Sequence, residues 1–285
     1  MRDFEFLEPL PKTVVSVKLP SRGVPYPEGT PPASGKINLS PMTMIDEAVF
    51  AEDGVTLTEA IDRVLRRCVQ EKLDINTLLV SDKFFLFMML RAITYGEDYE
   101  FGWTCAQLGC GFDNKSTVKI PNDFKMKQLA DTDKEPFIVT LPDSQKEISF
   151  RLLRGVDEPA VEAYRKKIKA QQSDTMKVQD TTPLFRVCRH IIAVDGNPVK
   201  EASDQQVMKF FASLSAKDRQ FFQAKIALYT PGIDTELKVT CDKCGYVHRM
   251  EMPFSANFFR AISDDEEIPT MADEIRPDVL SEDRL

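Results

Sequence analysis

The sequence predicts an α+β protein: a zinc-ribbon-like β part with two cysteine knuckles, helices ahead of it, and a large helical insertion between the knuckles. Two close-spaced cysteine pairs, Cys105/Cys110 and Cys241/Cys244, lie 130 residues apart. Apolar residues recur at helical spacing ahead of the first pair and again between the pairs, but with a period of two around each pair. The segments implied are an extended proline-rich arm over 1–41, a helical region over 42–98, and the first knuckle with a β-hairpin over 99–155. The helical insertion follows over 156–230, then the second knuckle with its strands over 231–262 and an acidic tail over 263–285.

The arm is dense in proline and shows little helical periodicity. Thr13–Val17 and Lys36–Leu39 read as short strands flanking the loop from Leu19 to Pro27. An extended, turn-rich segment of this kind suits lying along a neighbouring surface. Its candidate partner-binding residues are Leu19, Pro20, Arg22, Gly23 and Tyr26.

Thr43 and Asp46 give a capping-box pattern ahead of Ala48, Val49 and Phe50. Thr58 opens a helix whose inner face is Ile61, Val64, Leu65 and Cys68. Ser81-Asp82 opens another, carrying the apolar run Phe84–Leu90 and ending at Tyr95-Gly96. Seven apolar residues fall far short of the roughly 20 needed to span a bilayer, so that helix is expected inside the fold. Strands are expected at Tyr99–Thr104, Ser116–Ile120, Phe137–Leu141 and Ile148–Leu153. Helical spacing returns at Glu158–Gln171 and Leu184–Ile192, with a turn at Asp195–Pro198. Ser203 with Gln206, and Ser215 with Asp218, read as further capping boxes. Pro231-Gly232 stops the last helix, and strands resume at Glu236–Thr240 and Val247–Met252.

The cysteine pairs sit in an internal half-repeat. Each copy reads Thr-Cys, a short loop, then Cys-Gly-aromatic: Thr104-Cys105 with Cys110-Gly111-Phe112, and Thr240-Cys241 with Cys244-Gly245-Tyr246. Each continues through alternating residues to a proline, Pro121 or Pro253, and then a phenylalanine, Phe124 or Phe258. Such a unit reads as a zinc knuckle, a tight hairpin tip whose two thiolates converge on one ion. Two knuckles make a closed Cys₄ shell and hence a structural Zn²⁺ site on Cys105, Cys110, Cys241 and Cys244. The intervening chain can return cheaply if the insertion's ends lie close together. Unmetallated thiols and a redox pair are the other readings. A redox Cys-x-x-Cys wants a helix N-terminus, whereas strands flank both pairs. His248, four residues after Cys244, could replace Cys105 as a ligand. Cys68 and Cys188 stand alone in apolar helical patterns and read as core residues.

The chain of 285 residues carries a net charge of −8. From Asp264 to Leu285 nine acidic residues face two basic ones, a net of −7, so the rest is close to neutral. A near-neutral body argues against a nucleic-acid footprint. The N-terminus lacks a secretory pattern, which suggests synthesis and residence in a cytosol. No Gly-x-Gly-x-x-Gly, Walker-type or Gly-x-Ser-x-Gly motif is present, and neither His190 nor His248 has a nucleophile pattern beside it. A non-enzymatic protein is therefore expected.

The ordered motifs Leu19-Pro20-Ser21-Arg22-Gly23, Pro41-Met42-Thr43, Arg91-Ala92-Ile93-Thr94-Tyr95-Gly96 and Val239-Thr240-Cys241-Asp242-Lys243-Cys244-Gly245-Tyr246, then Pro253 and Phe258-Phe259, resemble the baseplate proteins of T-even-like contractile-tailed phages. The resemblance spans roughly 13–260; the first cysteine loop, with four residues, departs from the double C-x-x-C form. It implies a baseplate hub or wedge component, or an assembly chaperone, that binds other tail and baseplate proteins. It implies no nucleic acid, membrane or small-molecule substrate, and a place in the virion tail baseplate or, during assembly, the host cytoplasm. A zinc-ribbon nucleic-acid-binding module is the alternative. That class shows lysine and arginine near its knuckles, and here Lys115, Lys119, Lys238, Lys243 and Arg249 are interleaved with acids.

Overall fold

A computed structural model describes residues 13–171, 179–254 and 258. The chain is α+β, and its hub is the helix α3, Val80–Tyr95. Eleven of the sixteen α3 residues are buried, among them Phe84, Phe85, Leu86, Phe87, Met88 and Leu90. A helix apolar all round has no solvent face, so other segments must wrap it. Among the described residues no helix is long and apolar enough to cross a membrane.

The N-terminal segment supplies one such wrap. Strands β1 (Val15–Lys18) and β2 (Lys36–Leu39) pair antiparallel, Val15 opposite Leu39. The loop between them turns inward. Leu19, Pro20, Gly23 and Tyr26 are buried, and only Arg22 of the expected contact residues is exposed. Four of the five candidate contact residues thus face the chain's own core, and the cause is Asp82. Asp82 opens no helix: α3 starts at Val80, and the fully buried Asp82 carboxylate accepts the Ser21 N–H at 3.2 Å and the Tyr26 hydroxyl at 2.6 Å. The Tyr26 oxygen in turn accepts the Leu79 N–H at 2.8 Å. Hydrogen bonds to a charged group contribute roughly 1.5–3 kcal/mol each, enough to hold a proline-rich loop at home. Gly23 fits because it has no side chain; its φ is +82°, and a Cβ would meet the Ala33 carbonyl oxygen at 2.5 Å. Arg22, also at positive φ, points out to Asp131 at 2.9 Å. Residues 1–12 of the expected arm lie outside the described residues.

Ahead of α3, the short helix α1 (Met44–Glu47) begins as its capping pattern predicts: the Asp46 carboxylate accepts the Thr43 N–H at 2.8 Å and the Thr43 hydroxyl at 2.7 Å. Helix α2 (Leu57–Cys68) starts one residue before Thr58, its cap being Thr56, which accepts the Glu59 N–H at 3.3 Å. Beyond α3 come β3 (Asp98–Thr104) and β4 (Asp113–Lys119), an antiparallel hairpin. A short strand β5 (Lys125–Lys127) and then β6 (Phe137–Thr140) and β7 (Glu147–Phe150) follow.

The stretch expected as a helical insertion is not purely helical. Helices α4 (Glu158–Ala170) and α5 (Thr182–Cys188) form, but α5 ends before the expected Ile192. Ile191–Val194 is instead strand β8, which pairs with β7 and turns into β9, Asn197–Pro198. β-Branched Ile191, Ile192 and Val194 suit a pleated surface, and the open edge of β7 supplies one. A four-stranded sheet β6-β7-β8-β9 results. Helices α6 (Asp204–Ser213) and α7 (Ala216–Tyr229) follow, with Phe222 edge-on to Phe150 and Tyr229 stacked on Phe137. Ser203 and Gln206 form the expected reciprocal cap of α6. Ser215 caps α7 by accepting the Asp218 N–H, but Asp218 does not reciprocate; its buried carboxylate accepts the N–H groups of Asp143 and Ser144.

The ends of this stretch meet at the start of α3. The Gly155 N–H donates to the Leu78 carbonyl at 3.0 Å, and a Cβ on Gly232 would lie 3.5 Å from Ser81 Cβ. Strand β10 (Gly232–Asp234) pairs with β5 and leads into the second hairpin, β11 (Glu236–Thr240) and β12 (Val247–Glu251). Phe254 and Phe258 then close over Phe84 and Phe87. The acidic tail lies outside the described residues.

Candidate metal centre

The two cysteine pairs occupy the tips of β3–β4 and β11–β12. The last strand pairs are Thr104 with Asp113 and Thr240 with Val247, so each tip begins immediately after a Thr-Cys bond. The tips share a closing hydrogen bond. The Cys105 N–H donates to the Phe112 carbonyl at 2.8 Å and the Cys241 N–H to the Tyr246 carbonyl at 2.9 Å, the aromatic residue being equivalent in the half-repeat. Gly111 and Gly245, one residue before those aromatics, both have positive φ, +58° and +71°. The repeated glycine is therefore a backbone requirement of the turn.

The four thiols converge. Cys105 Sγ lies 3.7 Å from Cys244 Sγ, Cys110 Sγ lies 3.8 Å from Cys241 Sγ, and all four sulfurs fall within 4.8 Å of one another. A tetrahedral ion about 2.3 Å from each sulfur demands S–S edges of about 3.8 Å. Disulfides would need about 2.05 Å, and all the cysteines are free thiols. Spacing and donor set thus fit a soft or borderline divalent ion such as zinc. Cys105 and Cys241 are buried, Cys110 is half-buried and Cys244 exposed.

Protonation is uneven across the cluster. Burial pushes the Cys105 thiol up to about 12. Burial also opposes ionisation of Cys241, but the backbone N–H groups of Cys244 and Lys243 and the Asn114 amide outweigh it and bring that thiol down to about 6. Cys68 and Cys188 are core residues apart from the cluster, and burial, with Asp204 nearby, pushes the Cys188 thiol up to about 12.

Two residues beyond the cysteines touch the cluster, at equivalent places. Asn114 is four residues after Cys110, and His248 four after Cys244. Each reaches the first cysteine of the opposite hairpin. Asn114 Nδ2 donates to Cys241 Sγ at 3.6 Å, and His248 Nε2 lies 3.2 Å from Cys105 Sγ. Asn114 is buried and also spans the gap through backbone: its amide donates to the Phe112 carbonyl at 2.9 Å, and its oxygen accepts the Asp242 N–H at 2.9 Å. The His248 ring is held edge-on by Trp103 at 5.2 Å and Tyr246 at 4.7 Å. His248 stands beside the four-sulfur group rather than within it. Asn114 escapes a motif search because asparagine is no ligand type; its signal is the equal offset within the half-repeat.

Of the residues read from sequence as sites, the four cysteines come together here, while Leu19, Pro20, Arg22, Gly23 and Tyr26 lie on the loop that packs on α3. No curated protein and no solved structure matches the chain. A family model described as T4 bacteriophage base plate protein matches residues 11–260. That span takes in the β1–β2 hairpin, α3 and both cysteine hairpins, and on it the chain belongs to the T4 bacteriophage base plate protein family.

Proposed function

We propose that the chain is a non-enzymatic baseplate protein, a hub or wedge component or an assembly chaperone, that works by binding other tail proteins. We further propose that Cys105, Cys110, Cys241 and Cys244 hold a structural Zn²⁺ in a zinc-ribbon-like pair of knuckles. The observation that carries the metal reading is the meeting of four sulfurs from two hairpins at the edge lengths of a tetrahedral thiolate site. Four thiolates fill a zinc shell and leave no position for substrate or activated water, which is the arrangement of a staple and not of a catalyst. In this reading 156–230 is an insertion that returns the chain to α3 before the second knuckle.

Family membership supports tail proteins as partners and the virion baseplate as the working place. Of the five candidate contact residues only Arg22 is exposed, and a partner contact there would compete with Asp131. Metal analysis of protein purified without chelator tests the site: one zinc per chain is expected, and a ratio near zero with four freely titratable thiols overturns it. Mass spectrometry of purified virions separates a retained component, present in the particle, from a chaperone, absent from it.

A further inference from the structure

A cleft of about 790 Å³ lies beside α3. Its floor is apolar, formed by Val80, Phe84 and Phe87 of α3 with Ile61, Leu153 and Val161. Its rim is charged, and the charges are unevenly matched. The rim acids have partners: Glu59 pairs with Arg63, Asp62 and Glu158 with Lys83, Asp157 with Arg151, Glu162 with Arg165, and Asp180 accepts the Thr182 N–H. Arg66, Lys169 and Arg186 also line the cleft, and none of the three forms an ion pair among the described residues. The lining balances six acids against six bases, but three of the bases have no acid partner among the described residues. An apolar trough with cations left to engage suits a segment that is both apolar and acidic.

We propose that the occupant is the chain's own C-terminal segment, residues 264–285. That segment carries a net −7, with Ile268, Met271, Ile275, Val279 and Leu280 set among its acids. The place where the chain leaves the described fold also favours it. Phe258 stacks on Phe87 at 5.4 Å, and Phe254 meets Phe84 edge-on at 5.5 Å, so the chain departs from the same two rings that floor the cleft. Six residues from Phe258 to Asp264 reach up to about 20 Å. The cleft floor from Phe87 to Val80 runs only about 10 Å along α3. Tethering that close gives the segment a millimolar-range effective concentration, which a free competitor must match.

Zero-length carbodiimide crosslinking of the full chain, mapped by mass spectrometry, tests the docking. The exposed Lys217–Asp143 pair, 2.8 Å apart, serves as internal control. In the monomer band, Lys166 or Lys169 should join an acid between Asp264 and Asp283. The yield should fall several-fold in the R66E/R186E double variant while the Lys217–Asp143 link is unchanged. The proposal is overturned if the control link forms without tail links at those lysines. It is equally overturned if tail links appear only in a dimer band, or spread evenly to remote lysines such as Lys36 and Lys238.

Discussion

The two cysteine hairpins close the same way at their tips and differ in how they are rooted. β3–β4 is seven residues long on each strand, and β3 buries Tyr99, Phe101 and Trp103 against the core. The Tyr99 hydroxyl donates to the Pro253 carbonyl at 2.9 Å, which ties its root to the chain beyond the second hairpin. β11–β12 is five residues long; only Leu237 and Val239 of its strands are buried, and no β12 residue is. Apolar burial contributes roughly 1.5–3 kcal/mol per large side chain, so the first hairpin can stand on packing alone. The second has far less to stand on. A metal staple between them would therefore stabilise them unequally, and the second hairpin is the one that would depend on it.

The largest expected effect comes from removing a ligand. Cys241→Ser should abolish metal retention and strip amide-exchange protection from 236–251 while leaving 98–119 largely protected, since ligation energy at such a site is folding energy worth several kcal/mol. Equal loss in both hairpins would break the comparison. Excess chelator on the unmutated protein should give the same ordering, with β11–β12 opening first.

Asn114→Ala comes next. It leaves all four sulfurs in place but removes the donor to Cys241 and the bridge to Asp242. Outer partners of metal ligands commonly contribute 10–100-fold in affinity, and a fall of that size is expected in competition with a chromophoric chelator. His248→Phe should cost less, about tenfold or under, because an aromatic ring can keep its place between Trp103 and Tyr246 while losing only the nitrogen beside Cys105. If His248→Phe releases metal as readily as Cys241→Ser, the histidine is a ligand and the four-sulfur reading is wrong. The smallest effect should come from Leu108→Ser, in the longer first loop. Leu108 is 97% exposed, and a change there should stay within about 0.5 kcal/mol in urea unfolding with metal content unaltered.

What the sequence discloses follows how far its determinants reach. The knuckles are legible because Thr-Cys, the loop and Cys-Gly-aromatic are contiguous, and repetition separates them from chance. The caps at Thr43 and Ser203 are legible for the same reason. The inward turn of the Leu19–Pro27 loop is not legible because the group that draws it, Asp82, is 56 residues beyond Tyr26, and a carboxylate near a helix start looks like a cap. Asp218 is the same case, its carboxylate spent on Asp143 and Ser144 across the fold. Ile191–Val194 fails for another reason: a short apolar run fits a helix end or a strand equally well, and only the open edge of β7 decides.

The 130 residues between Cys110 and Cys241 also set a clock. At roughly 5–20 residues per second, a ribosome that has released the first hairpin needs on the order of ten seconds to make the second. Through that interval Cys105 and Cys110 are half of a site, able to take up an ion only loosely or to meet another nascent chain's pair. Both remaining thiols and the Asn114 bridge to Asp242 arrive together. Closure of the cluster thus waits on the second pair, and the length of the segment that separates the pairs sets that wait.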